Sequence, residues 1–194
     1  MYIKRNLEDT ILAQLHTREI IAVTGPRQWG KTTLIQKLLK ERSNAVSVSF
    51  DDQATLALFE KSIDDFIGAY VKGNDCLFID EFQYAKNGGK LLKYIFDKEK
   101  IKIIISGSSA LDLTVHAVKY LVGRIFVYNL YPFNFREFLS AKDEAAVKLY
   151  DEYVERLDYT GKPHIVIPET VHGILLPRFE QYILYGGYPR VVLE

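Results

Sequence analysis

With one cysteine in the whole chain, Cys76, an internal disulfide is excluded. That residue lies inside the apolar run CLFID, which reads as a buried strand, so nothing in the thiol content points to an oxidising compartment; the expected location is the cytoplasm. An excess of either charge is also missing. Lys plus Arg and Asp plus Glu both number 25, so no global field draws in nucleic acid or anionic lipid, although a local basic patch is compatible with that balance. Long hydrophobic runs are absent, because Gly, Pro or a charge interrupts each one well before the ~20 residues of a membrane span. The opening MYIKRNLEDT lacks the apolar core of a signal peptide. No internal repeat or low-complexity linker occurs. What remains is an ordinary globular composition over 194 residues, enough for one sizeable domain with or without a small appendage.

Five apolar runs of strand length punctuate the first two thirds: IIAV (20–23), AVSVSF (45–50), CLFI (76–79), IKIIIS (101–106) and IFVYNL (125–130). Several are rich in Val and Ile with few charges, as in strands buried on both faces. Between them KTTLIQKLLKE, LALFEKSIDDFIGAYVK, GKLLKYIFDKE and ALDLTVHAVKYL place apolar residues at three- and four-residue steps, the spacing of helices. Alternating strand and helix predicts an α/β architecture with a parallel sheet layered between helices. After YPFNFREFL the pattern changes. DEAAVKLYDEYVERL (143–157) reads as an amphipathic helix, 159–173 is broken by Gly and Pro, and 177–192 reads as helical until Gly186 and Gly187. The expected organisation is a core over 1–140 and a small helical appendage over 141–194.

TGPRQWGKTTLIQ, directly after the first apolar run, completes the spacing Gly-x-x-x-x-Gly-Lys-Thr with Gly25, Gly30, Lys31 and Thr32. Glycines there let consecutive backbone amides turn inward onto phosphate oxygens, and the helix that follows aims its positive end at the same anion. Lys31 is suited to neutralise β and γ phosphates, and the Thr32 hydroxyl to hold Mg2+. Pro26, Arg27, Gln28 and Trp29 fill the variable positions of the loop. Thr33 reads as a capping or packing residue within the nucleotide-binding stretch.

A phosphate cradle alone also serves kinases and passive switches. In CLFIDE four apolar residues end in Asp80 and Glu81. Strand alternation is expected to direct these two differently, Asp80 toward the Mg2+ shell and Glu81 toward the γ phosphate, where it would polarise a water. The next run ends in Ser106, Gly107, Ser108 and Ser109. Ser108 is the expected contact to the γ phosphate or the water, Ser106 the reserve, and Ser109 the cap of the following helix. Arg124, beside Gly123 and read as lying near the nucleotide edge of the sheet, is the candidate for stabilising transferred charge, from this subunit or a neighbour. Arg190 is a second candidate.

Taken in order, GPRQWGKTTL, FIDEFQ, SGSSALDL, LVGRIFVYNLYPFNFREFL and YGGYP resemble the predicted AAA+ superfamily ATPases of archaea and bacteria. The resemblance implies a P-loop NTPase three-layer sandwich with a five-stranded sheet in the order 5-1-4-3-2, ATP and Mg2+ as ligands, and Asp80, Glu81 and Ser108 in the roles just given. It favours Arg124, at the family's GR position, as a finger-like residue, and sets Gln83 in a recurring DExQ block without a role. It also implies a helical lid or winged-helix region after the core, and a further C-terminal domain of nuclease-like character beyond this sequence. Trp29 departs from the small residue usual there. ATP is expected over GTP mainly on this resemblance; no Asn/Thr-Lys-x-Asp motif occurs. Two functions stand beside each other: an ATPase driving a switch in an attached or bound partner, and a nucleotide-dependent DNA- or protein-binding module with little turnover. A homo-oligomer fits either, and a metabolite kinase is disfavoured by the absence of an arginine-rich lid.

Overall fold

All five apolar runs become strands of one parallel sheet in the computed structural model, which describes residues 2–40, 42–108, 118–155 and 167–194. The strands are β1 (Ile20–Thr24), β2 (Ala45–Ser49), β3 (Cys76–Asp80), β4 (Lys102–Gly107) and β5 (Ile125–Asn129). Their spatial order is β2-β3-β4-β1-β5, the expected order read from the other edge. The chain divides into two compact units, Asn6–Leu130 and Met1–Arg5 with Tyr131–Glu194.

Position in the sheet decides how each strand is buried. β1 and β4 are buried at every residue and β3 at all but Asp80, because each has neighbours on both sides. The edge strands β2 and β5 are only half-covered, and Phe126 and Val127 of β5 face solvent. Burial on both faces therefore holds for the three inner strands and not for IFVYNL. One face of the sheet packs on a phenylalanine cluster in which Phe59 lies 4.9 Å from Phe50 and 5.1 Å from Phe66, ring centre to ring centre.

The helices of this unit are α1 (Asn6–Gln14), α2 (Lys31–Leu39), α3 (Gln53–Lys61), α4 (Ile63–Phe66) and α5 (Gly88–Lys98). α1 was not expected from the apolar spacing. The single helix expected over 56–72 is instead broken at Ser62, whose non-helical backbone separates α3 from α4 and a π turn over Ile67–Val71. Its start also moves upstream, because the Asp52 side chain accepts from the amides of Ala54 and Thr55 and caps α3. The helix expected over 110–121, with Ser109 as its cap, lies largely outside the described residues; Val118–Tyr120 form a 3-10 turn.

The second unit holds α6 (Phe135–Lys142), α7 (Glu144–Glu155), α8 (Glu169–Tyr185) and α9 (Pro189–Leu193). Asn134 and Glu137 form a reciprocal capping box at the start of α6, the device that turns the FNFREFL stretch into a helix. α8 begins well before Pro177 and runs through it, so residues 169–173 are helical rather than broken. Proline removes only one backbone donor, and the remaining turns hold. Ile3, Phe133, Phe138 and Val192 form the core of this unit. The Gly187 carbonyl accepts from the Phe133 amide at 2.7 Å, and a Cβ at Gly187 would lie 2.1 Å from the Phe133 carbonyl oxygen. That contact gives the YGGYP motif its glycine.

Candidate functional site

β1 delivers the chain into a loop that only unusual backbone shapes can close. Gly25 has φ 145°, Gln28 φ 67° and Gly30 φ 88°. A Cβ on Gly25 would sit 2.5 Å from the Leu130 carbonyl oxygen, so the root of the loop requires glycine on contact grounds as well. Leu130 in turn donates its amide to the Thr24 carbonyl at 2.8 Å, which holds the exit of β5 against the exit of β1. α2 then starts at Lys31 with no side chain capping it, leaving its first-turn amides to an outside acceptor. Arg27, Gln28, Gly30, Lys31, Thr32, Thr33 and Glu81 line a cavity of about 290 Å³ at this point.

Lys31 is 5% exposed, and its Nζ donates to the carbonyls of Gly25 at 2.7 Å and Pro26 at 3.0 Å. Burial pushes its ammonium below the ordinary value, while the charges of Glu81 and Asp80 pull it back. A lysine so placed is held at the loop and partly stripped of water. Trp29 is half-buried, with its ring 3.3 Å from where a Gly25 Cβ would stand. Arg27 is exposed and donates to the Tyr84 hydroxyl at 2.9 Å. Pro26 and Thr33 are exposed as well.

Asp80 ends β3 and gathers three donors: the Thr32 hydroxyl at 2.6 Å, the Glu81 amide at 3.0 Å and the Ser106 hydroxyl. Parallel strand pairing makes this possible. β3 and β4 are in register with Ile79 beside Ile105, so the fully buried Ser106 comes next to Asp80. The serine held in reserve is thus the one that touches the acid pair directly.

Glu81 lies past the strand, and its backbone is left-handed, with φ 54° and ψ 40°. This corrects the expected origin of the division between the two carboxylates. The left-handed turn after β3, and not strand alternation, sends Glu81 away from Asp80. Such a conformation is uncommon for a residue with a Cβ and concentrates at functional sites. Its carboxylate accepts from Gln83 Nε2, which also donates to the Ser108 hydroxyl at 3.1 Å, while the Ser108 amide donates to Gln83 Oε1 at 3.3 Å. Ser108 therefore meets Glu81 through Gln83, the residue to which no role attached in the sequence. Two adjacent acids stand out in a sequence; a neutral amide two positions on does not.

Arg124 is not near the nucleotide edge of its own sheet. It precedes β5, whose first residue Ile125 is in register with Ile20 at the start of β1, and its carbonyl accepts from the Ile20 amide at 2.8 Å. The phosphate loop leaves the other end of β1. At about 3.3 Å per residue, five strand residues separate the two backbones by roughly 16 Å. The Arg124 side chain lies 3.7 Å from the Asp97 carboxylate. Arg190, in the second unit, is exposed and pairs with Glu194 just past the end of α9.

The donor set suits Mg2+. A threonine hydroxyl and a carboxylate already in contact offer two hard oxygens, the ligand type this ion takes. Among the described residues no cluster of three or more His, Cys, Asp or Glu is placed to form a closed protein cage for a metal. No described helix is long and apolar enough to cross a membrane.

A five-stranded parallel sheet of this order, with a glycine loop after β1 and an acid pair where β3 ends, is a P-loop NTPase-like fold. The AAA domain family matches residues 17–139, and the chain belongs to it. Two uncharacterized proteins of Methanocaldococcus jannaschii are similar, one 25% identical over 93% of this chain and the other 29% identical over 89%. The chain spans 38% of the length of each of these curated relatives. Among solved structures, the ADP complex of S. cerevisiae Hsp104 shares the fold, with a TM-score of 0.56 and 16% identity over 100% of this chain and 30% of that one.

Proposed function

We propose that this AAA domain binds Mg·ATP and hydrolyses it, and that turnover drives a conformational switch in an attached or bound partner. The observation that carries the hydrolase reading is the convergence of Lys31, Thr32 and Glu81 on one cavity, with Asp80 bonded to Thr32 just behind. Lys31 would exchange its two loop carbonyls for β and γ phosphate oxygens, with the amides at the start of α2 completing the cradle. Thr32 and Asp80 would hold Mg2+, which would neutralise phosphate charge when bound. Glu81 would accept a proton from the water that attacks the γ phosphorus, while the β–γ bridging bond breaks toward ADP. Ser108 would bond the water or a γ oxygen. Arg124, remote from its own loop, suits a role supplied to a neighbouring copy.

Phosphate release from Mg·ATP, with and without DNA, tests the reading. Glu81→Gln is expected to keep binding and to slow release at least ~10²-fold, the usual scale for a lost general base. Tight ATP binding with no release under any condition would instead support a nucleotide-dependent binding module, and wild-type turnover in the Gln variant would remove Glu81 from the water-activating role.

A further inference from the structure

The Gln83 side chain is oriented from two sides. Ser108 presents a backbone N–H, which only the amide oxygen of Gln83 can accept, and this forces the amide nitrogen to face Glu81 and the Ser108 hydroxyl. Both amide hydrogens and one oxygen lone pair are then used. The turn that bears Gln83 is itself anchored. It is a 3-10 turn over Phe82–Tyr84 whose first residue, Phe82, is 2% exposed and stacks 5.8 Å from Phe50 and edge-on 6.1 Å from Phe59. The backbone of Glu81 is held, its amide donating to the Asp80 carboxylate at 3.0 Å and its carbonyl accepting from the Tyr84 amide at 3.2 Å, while its carboxylate accepts from Gln83. Glu81 follows the last strand residue in a left-handed conformation, so the direction of its side chain is not set by the sheet.

We propose that Gln83 is the positioning residue for Glu81: it holds one carboxylate oxygen, leaves the other to accept a proton from water, and ties that geometry to Ser108 at the end of β4. This rests on the hydrolase reading above. A glutamate at this position would keep the acceptor for the Ser108 amide but turn a second carboxylate toward Glu81, and a methionine would keep the length while removing every hydrogen bond. Misplacing a reacting group by about an ångström costs roughly 10²-fold in rate.

The test is the steady-state phosphate release of Gln83→Met and Gln83→Glu, beside Mg·ATP affinity read from Trp29, the single tryptophan, which sits in the phosphate loop. Both variants are expected to lower kcat by roughly 10- to 100-fold. KM and affinity should stay within about 2-fold, the pattern of an interaction that matters only in the transition state. Combined with Glu81→Gln, Gln83→Met should add no further loss. Three outcomes overturn the proposal: Glu81-dependent turnover that the Gln83 variants leave at the wild-type rate, an equal added loss in the Glu81→Gln background, or a fall in affinity in step with kcat. A wild-type protein that releases no phosphate overturns the hydrolase reading itself and the positioning role with it.

Discussion

The Thr32 hydroxyl at the start of α2 donates to the Asp80 carboxylate at the end of β3 across 2.6 Å, joining positions 48 residues apart. This contact ties the phosphate loop to the acid pair, and it places a hydroxyl oxygen and a carboxylate oxygen together where a hard cation and a triphosphate would meet. Asp80 keeps two other donors, Ser106 and the Glu81 amide, so its carboxylate would stay in place if Thr32 turned toward a metal.

Removing the hydroxyl alone should therefore weaken the magnesium site without unfolding it. Thr32→Ala is expected to lower magnesium-dependent ATP affinity at least about 10-fold, the scale of one charge-assisted bond. Affinity for ATP in excess chelator should change little. Titration of MgCl2 at fixed ATP, followed by Trp29 emission, reads both quantities; an unchanged magnesium midpoint would remove Thr32 from the metal site.

At the loop root the expected effect is on the fold as well as on binding. Gly25→Ala puts a methyl group 2.5 Å from the Leu130 carbonyl oxygen and asks an alanine to hold φ 145°. Overpacking and backbone strain together should cost about 3 kcal/mol. For a chain of this size that corresponds to a Tm lower by roughly 6–12 °C. Thermal unfolding followed by circular dichroism checks it, and an unchanged Tm would mean that the loop closes differently.

A pH dependence follows from Lys102, which is 7% exposed and donates to the carbonyls of Gln14 at 2.7 Å, Thr17 at 3.0 Å and Glu19 at 2.5 Å. Burial pushes its ammonium down to about 8 from an ordinary 10.5. Within that window the unfolded chain binds a proton that the folded chain has released, so this group makes stability rise with pH from about 8 toward 10.5, and contributes no slope below. Other groups titrate there too, so the measured quantity is a difference. Urea midpoints of wild type minus Lys102→Met should increase between pH 7.5 and 9.5; a flat difference would contradict the assignment.

Supply of Arg124 to a neighbour has a direct consequence. Arg124→Ala and Glu81→Gln proteins, each slow alone, should recover part of the wild-type phosphate release when mixed, because a mixed assembly can join an intact Arg124 to an intact Glu81. Recovery requires association of copies. Strict additivity of the two residual rates, with both proteins associated by light scattering, would exclude this arrangement.

The architecture was legible in the residues because its signals are local. Runs of Val and Ile four to six residues long, helices of regular apolar step between them, and a glycine spacing that closes a loop within eight positions all depend on near neighbours, and all five strands and the phosphate loop appear where those signals stand. Local signals also set α6 and α3, through the caps Asn134 and Asp52. The edge at which Arg124 lies was legible as well: in an all-parallel sheet a residue just before a strand sits opposite a loop that follows one.

Tertiary structure alone decided which polar groups meet. Ser106 reaches Asp80 and Ser108 reaches Gln83 because β3 and β4 pair in one register, and a slip of a single residue would exchange the faces on which the serines lie. Gly187 rests on Phe133 through a backbone approach between segments far apart in sequence. Hydrogen bonds between positions 25, 26 or 48 apart leave no periodicity in a chain. They depend on side-chain directions fixed only after the sheet has formed, so the sequence shows Thr32, Asp80, Gln83 and Ser108 without showing which of them meet.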